Sequence, residues 1–215
     1  MMSIQRISEI RNDYTLRQLN ELDVDSDPFV FFNEWLNEAI DSECNEPTAM
    51  TLATSTFDGK PSARIILLKG ADKEGFTFYT NYDSRKGSQI LQNPYGALLF
   101  FWPELQREIR IEGAIKKADE EQSDDYFKSR PTKSQISAWA SPQSKVIPSR
   151  KYLESLKSDF QEEFSRRTIP RPANWGGYIL VPTLFEFWQG RANRLHDRIQ
   201  YTLQNDEWII ERLAP

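Results

Sequence analysis

The stretch Phe185–Arg198, FEFWQGRANRLHDR, carries the densest chemistry in the chain. It holds the single histidine of the 215 residues, His196, with Arg191, Arg194, Arg198 and Asp197 crowded around it and an aromatic, strand-like run leading in. Arginine presents a planar fork of donors that suits phosphate or carboxylate. Histidine titrates near neutral pH, and Trp188 offers a flat apolar face for a ring. Together these types point to a pocket for an anionic, aromatic small molecule. A hairpin with a charged, solvated turn is the plainer reading of the same residues, and a lone motif does not decide between them.

Three other segments have chemical potential. In Asn81–Gly87, a hydroxyl (Ser84) and two cations (Arg85 and Lys86) fall where a helix should begin. Free backbone N–H groups there make a phosphate site, or an ordinary cap. In Arg64–Lys69, alternation puts Arg64, Ile66 and Leu68 on one face and Ile65, Leu67 and Lys69 on the other. That suits a barrel strand beside an anionic cofactor, and equally any buried strand with charged ends. In Tyr126–Gln135, Tyr126 and Arg130 stand four apart with Ser134 following. All three can hydrogen-bond a phosphate, and a surface helix end would look the same. The chain has no G-x-G-x-x-G, Walker A or G-x-S-x-G pattern, so a Rossmann domain, a P-loop and a nucleophile elbow are unsupported.

The elements that must position these residues can be read from periodicity. Residues 1–26 are polar and expected to be extended or mobile, with a short helical piece possible near Ile4–Asn20. Asp27-Pro28 starts an amphipathic helix over 28–43, with Phe29, Phe32, Trp35, Leu36, Ala39 and Ile40 as its stripe. Strands are expected over Thr48–Ser55, Ser62–Lys69, Phe76–Asn81, Gly96–Trp102 and Leu105–Lys116. The first two are joined by an Asp58-Gly59 turn. Helices follow over about Ser84–Gln92, Asp119–Lys128, Lys133–Ala140 and Arg150–Arg166. Strands return at Trp175–Val181, Leu184–Trp188, Asp197–Leu203 and Glu207–Arg212. Short strands with tight turns and outer helices imply an antiparallel barrel in an α+β arrangement.

Composition sets bounds. The length suits one domain with a small appendage, and 39% hydrophobic with 13% aromatic residues argues against disorder. A net charge of −5 gives no general drive toward nucleic acid or membrane, so an anion site must be a local basic cluster. One cysteine, Cys44, fits a reducing compartment, and one cysteine with one histidine argues against zinc or another metal site. The first 20 residues do not read as a signal peptide, and no run of about 18 apolar residues exists, so a cytoplasmic protein is expected.

These segments, in this order, resemble the pyridoxine (pyridoxamine) 5′-phosphate oxidase family over nearly the whole chain. The most specific match is Glu186-Phe187-Trp188-Gln189 followed by Arg194-Leu195-His196-Asp197-Arg198. Support comes from Arg64–Lys69, Phe78-Tyr79-Thr80-Asn81, Ser84-Arg85-Lys86, Ser129-Arg130-Pro131 with Ser134-Gln135-Ile136, and Trp175-Gly176-Gly177. The resemblance implies an FMN-binding split β-barrel with flanking helices. It would be one domain over 27–215, with a dimerisation region from about 170, following a mobile segment over 1–26. It implies a homodimer with FMN at the subunit interface.

FMN would contact Arg64, Ile65, Ile66, Leu67, Leu68, Lys69, Tyr79, Thr80, Ser84, Arg85, Lys86, Gln143, Ser144, Trp188 and Arg198. The substrate phosphate would be held by Lys69, Tyr126, Arg130 and Ser134. Arg194 and His196 would lie over the pyridine ring as the catalytic pair, with Arg11 and Tyr14 closing over the substrate. The implied reaction oxidises pyridoxamine or pyridoxine 5′-phosphate to pyridoxal 5′-phosphate by hydride transfer from C4′ to flavin N5, with dioxygen as final acceptor and hydrogen peroxide as product. A non-catalytic flavin- or pyridoxal-phosphate-binding protein, or another FMN enzyme such as a flavin reductase, is the competing class on such a barrel. Two positions depart from the family pattern: Glu108 replaces an expected glutamine at the flavin ring, and Glu46 replaces an expected aspartate. Gln106 is expected to share a face with Glu108 and to be able to supply the missing amide.

Overall fold

The structure, a computed structural model, describes residues 13–215. The chain forms two compact units, each assembled from separate stretches. The first takes the described residues up to Met50, then Leu98–Ile111 and Thr183–Pro215; the second takes Thr51–Ala97 and Glu112–Pro182.

In the first unit, α1 (Pro28–Asp41) begins where Asp27 accepts a hydrogen bond from the Phe29 N–H at 2.9 Å, with Pro28 in the first turn. The expected stripe is rotated: Phe31, Phe32, Trp35 and Ala39 are buried, whereas Ile40 is exposed. The run FVFF offers two adjacent apolar stripes, and packing against the strands selects the one centred on Phe31 and Trp35. Those strands are the ends of β5 (Tyr95–Trp102), β6 (Arg107–Lys117) and β7 (Trp175–Gln189), followed by β8 (Asp197–Gln204) and β9 (Glu207–Arg212). β7 and β8 pair antiparallel with Trp188 opposite Arg198. Asn205 and Asp206, both in the left-handed region, make the two-residue turn from β8 to β9. Phe187 is fully buried, with ring centroids of Phe31, Trp35 and Tyr201 at 4.6, 5.3 and 5.6 Å.

No helix forms over 13–20. That extended segment is tied down instead: Leu19 is 3% exposed, and its N–H donates to Asp197 at 3.1 Å. Arg212 donates to the Leu19 carbonyl at 2.8 Å, and the Tyr201 hydroxyl donates to the Asp25 carbonyl at 2.6 Å.

In the second unit the strand order is β2-β1-β5-β6-β7-β4-β3, with β1 Ala49–Ser55, β2 Pro61–Leu67, β3 Gly70–Asp72 and β4 Gly75–Asn81. The Asp58-Gly59 turn joins β1 to β2 as expected, with Gly59 at φ 82°. The two strands expected over 175–188 are one strand, β7. The ladder to β4 ends at Leu180 and the ladder to β8 starts at Leu184, so Pro182, lacking an N–H, falls between the two. Around the sheet lie α2 (Arg85–Gln92), α3 (Glu120–Ser129), α4 (Thr132–Ala140) and α5 (Arg150–Glu163). Phe127, Ile136, Phe164, Ile169 and Trp175 form a buried cluster beneath α3 and α4.

Because Phe187 has no exposed surface, Phe187→Ala is expected to cost ~3–5 kcal/mol in urea unfolding, and Phe187→Leu clearly less. A loss below about 1 kcal/mol would show that the aromatic cluster is not the centre of this core.

Candidate functional site

Two cations of the second unit, Arg64 and Lys86, are held by neutral partners. Arg64 on β2 donates through Nη1 to the Leu52 carbonyl (2.9 Å) and Thr54 Oγ1 (2.7 Å), and through Nη2 to Ser62 Oγ (2.5 Å). Lys86, in the first turn of α2, donates to Thr80 Oγ1 at 3.1 Å and Gln143 Oε1 at 3.2 Å. Burial lowers the Arg64 pKa, helped by the charge of Arg85; burial also lowers that of Lys86, helped by the charge of Arg64. Mutual repulsion among three cations, with no carboxylate among these partners, is an arrangement that an anion would relieve. Ser84 caps α2 by accepting from the Gly87 N–H at 3.3 Å, and a Cβ at Gly87 would run into the Tyr82 carbonyl. Glycine there lets the helix start close under the loop, next to the cations.

A second anion-ready group lies in the same unit. Tyr79 and Tyr126 stack with centroids 3.8 Å apart, and Trp175 is nearly parallel to both. The Arg130 guanidinium lies 4.5 Å over the Trp175 ring, and its buried Nη1 has no hydrogen-bond partner. Arg130 follows the last helical residue of α3, so Trp175, rather than a shared helix face, brings Tyr126 and Arg130 together. Gln135 fixes the corner: its amide donates to the carbonyls of Phe127, Lys128 and Arg130 at 3.0–3.1 Å. Ser134 sits half-buried in the first turn of α4. Tyr79 and Thr80 are neighbours on β4, so this one strand reaches the aromatic group with one residue and the Lys86 group with the next. Ile65 and Leu67 present an open apolar face, Leu68 is buried and Lys69 is exposed. Ser144 adopts a left-handed conformation beside Gln143.

In the first unit, the loop after β7 turns through Asn193 and Arg194, both left-handed at φ 58° and 62°. It leaves Arg194 exposed. The Arg191 backbone N–H donates to His196 Nδ1 at 3.1 Å. Nδ1 is therefore the acceptor, and the neutral ring carries its proton on Nε2. Burial lowers the His196 pKa and Arg194 adds to this, against the opposing charge of Asp197, so the neutral ring is favoured. The Trp188 ring lies 4.6 Å from the imidazole, and Tyr14 meets both rings edge-on. A Cβ at Gly190 would lie 2.7 Å from the Tyr14 ring, so glycine makes room for it. Asp197 braces the loop, accepting from Arg191 and Arg212 as well as from Leu19. Arg198 donates to Glu186 at 2.7 Å and to the Ala214 carbonyl at 2.8 Å. Glu186 also takes Arg110, at 2.5 Å.

Each unit thus groups its own share of the residues read from the sequence; Arg11 lies outside the described residues. Four contributors escaped that reading. Asp197 and Arg191 lay inside the motif but were assigned no part. Trp175 was only a family marker. Gln135 was likewise only a family marker; the three bonds by which it holds the end of α3 had no signal, because a glutamine that caps a neighbouring helix looks like any other glutamine in sequence. One expectation is corrected: Gln106 does not share a strand face with Glu108. It sits at φ 55° in the turn before β6, its Oε1 taken by the Thr15 and Leu16 N–H groups, so it has no freedom to replace an amide at 108.

Among the described residues no cluster of metal-ligand side chains occurs, and no helix is long and apolar enough to cross a membrane. The fold is the antiparallel, α+β split β-barrel. A crystal structure of PhzG from Burkholderia lata 383, in complex with tetrahydrophenazine-1-carboxylic acid, matches with a TM-score of 0.88 at 29% identity over 95% of this chain and 100% of that one. A pyridoxamine 5′-phosphate oxidase-related, FMN binding protein from Nostoc punctiforme shares the fold at a TM-score of 0.67, 18% identity and 86% and 97% coverage. Family models for pyridoxamine 5′-phosphate oxidase and for the pyridoxine 5′-phosphate oxidase C-terminal dimerisation region match residues 36–156 and 175–215. A pyridoxine/pyridoxamine 5′-phosphate oxidase of Nostoc sp. PCC 7120 is 51% identical over 97% of this chain and 98% of its own. One from Polynucleobacter asymbioticus is 52% identical over 97% and 99%. The chain belongs to the pyridoxine/pyridoxamine 5′-phosphate oxidase family.

Within that family Glu108 is the position to test. Burial raises its pKa and the Glu186 charge raises it further, against Arg110 and Arg198. A carboxyl with a raised folded-state pKa opposes folding only when ionised. The penalty is absent below the unfolded value, grows as pH rises through the folded value, then levels. Glu108→Gln is therefore expected to raise the melting temperature at pH 8 and to leave it nearly unchanged near about pH 4. A gain that is the same at both pH values would show that ionisation of Glu108 is not its source.

Proposed function

We propose that the protein is an FMN-dependent oxidase that converts pyridoxamine 5′-phosphate and pyridoxine 5′-phosphate to pyridoxal 5′-phosphate, with dioxygen as the final acceptor. The observation that carries this reading is the presence of two anion-ready groups in one unit. One is the Arg64–Arg85–Lys86 cluster with its neutral partners; the other is Arg130 with its unpartnered Nη1 beside Tyr126. A phosphorylated flavin and a phosphorylated substrate need one each.

The residues fit FMN. Arg64, Arg85, Lys86 and the capped start of α2 would take its phosphate, with Thr80, Gln143 and Ser144 alongside. The strand Ile65–Lys69, Tyr79, Glu108, Trp188 and Arg198 would serve the rest of the cofactor. When bound, FMN supplies the hydride acceptor for C4′ of the substrate, chemistry that no side chain offers. Tyr126, Arg130, Ser134 and Lys69 hold the substrate phosphate, and Trp175 keeps the Arg130 guanidinium over its ring. Arg194, exposed on its left-handed turn, orients the substrate at C4′. The neutral His196 ring has Nε2–H to offer the substrate and is not poised as a base at Nδ1, which already accepts from Arg191. Tyr14 covers Trp188 and His196 and closes over the substrate. The open Ile65 and Leu67 face and the matched dimerisation region support a homodimer.

Oxygen-free protein loaded with FMN should lose its flavin absorbance on addition of pyridoxamine 5′-phosphate and regain it in air, with pyridoxal 5′-phosphate formed. FMN that binds but is not reduced by either phosphorylated vitamer would leave a non-catalytic binding protein. Arg130→Leu is expected to raise KM by about tenfold or more with kcat little changed, because a phosphate contact binds ground and transition states alike. An equal fall in kcat and kcat/KM would place Arg130 in the chemical step instead.

A further inference from the structure

Arg64 is surrounded by a closed set of neutral groups that ends on one buried side chain, Gln89. Arg64 donates to Thr54 Oγ1 (2.7 Å) and to Ser62 Oγ (2.5 Å). Both hydroxyls in turn donate to the same atom, Gln89 Oε1, from 2.7 and 2.6 Å. The second Arg64 amino group also reaches that oxygen, at 3.3 Å. A hydroxyl has one hydrogen. Because Thr54 and Ser62 both direct theirs at Gln89, their lone pairs face Arg64, and the guanidinium is held by acceptors on two sides. Gln89 is 3% exposed in the middle of α2, and Thr54 is buried on β1, so neither contact is shared with solvent.

We infer that Gln89 is a positioning residue: through the hydroxyls of Thr54 and Ser62 it fixes the Arg64 fork in the orientation that receives the phosphate of the flavin. The inference rests on the FMN reading above. The neutrality of Gln89 is part of the device. A glutamate would accept the same hydrogen bonds but would cancel the charge that Arg64 offers to an anion. The amide orients the cation without neutralising it, and the site keeps its pull on a phosphate. Arg85 and Lys86, at the start of the same helix, are neighbours in this field, so α2 supplies two cations at one end and the residue that aims a third from its middle.

The test uses the full chain stripped of flavin and titrated with FMN and, separately, with riboflavin, which lacks the phosphate; binding is read from flavin fluorescence. Gln89→Met, which keeps the volume, and Thr54→Val, which removes one hydroxyl, are each expected to weaken FMN binding about tenfold, ~1.4 kcal/mol, and to leave riboflavin binding unchanged. Equal weakening of both flavins, or no weakening of FMN by either variant, overturns the inference. A second readout is independent of flavin: the guanidinium nitrogen signals of Arg64 in the flavin-free protein, assigned with Arg64→Lys. These should report restricted rotation in the wild type and freer rotation in Gln89→Met. Should the wild type bind neither flavin while the Arg64 signals still change, the FMN reading falls and the positioning stands. Should the signals be the same in both proteins, the positioning falls.

Discussion

A partly buried cation must be surrounded by acceptors, and which acceptors it is given decides what it can still do. Arg64 and Lys86 are given carbonyls, hydroxyls and amide oxygens, which take part of their hydrogens and leave their charge in place. Arg110 and Arg198 share the buried carboxylate of Glu186, and Arg107 is held by Glu38 and Gln189 over the Trp35 ring. The first kind of setting calls for an external anion, and the second is largely neutralised from within. Arg107 is accordingly a structural arginine, while the Arg64 group is the place where the fold leaves charge to be used.

Side chains that meet a ligand are held here by residues that do not. Asp197 collects the Leu19 N–H, Arg191 and Arg212, so the extended N-terminal segment and the His196 loop are fastened to one carboxylate. These hydrogen bonds keep its pKa low although burial works the other way. The left-handed pair Asn193-Arg194 reverses the chain sharply enough for the Arg191 N–H to reach His196. Gln135 performs the same service at the α3–α4 corner. Such braces explain how a mostly exposed loop presents defined donors.

Glu108 is an acid placed where a neutral amide is the family expectation, and its surroundings tell why it is tolerated. It shares the half-exposed face of β6 with Arg110 and Glu112, and Arg110 and Arg198 partly balance it. Its raised pKa has the sign that brings a carboxyl nearer to an amide, since the protonated form is a donor as well as an acceptor. Glu46 is a milder case. It occupies a left-handed position, φ 51°, where aspartate is better tolerated than glutamate.

Local signals in the chain were enough for the class of fold, the Asp58-Gly59 turn and the identity of the chemical groups. Alternation, the Asp58-Gly59 turn and the Asp27-Pro28 helix start are local signals, read from neighbours in the chain. The arginine, histidine and tyrosine sets were legible because their types and spacing match a family. Pairing between residues far apart in sequence came from the folded chain alone. Which face of FVFF turns inward depends on β7, and the continuity of β7 through Pro182 depends on where the β4 and β8 ladders stop. That Trp175 lies beneath Arg130, that Gln106 is spent on the N-terminal segment, and that Gln89 on α2 receives hydroxyls from two strands are contacts across tens of residues. A hydrogen bond depends on distance and direction in space, and neither is encoded in the spacing of two residues that the fold alone brings together.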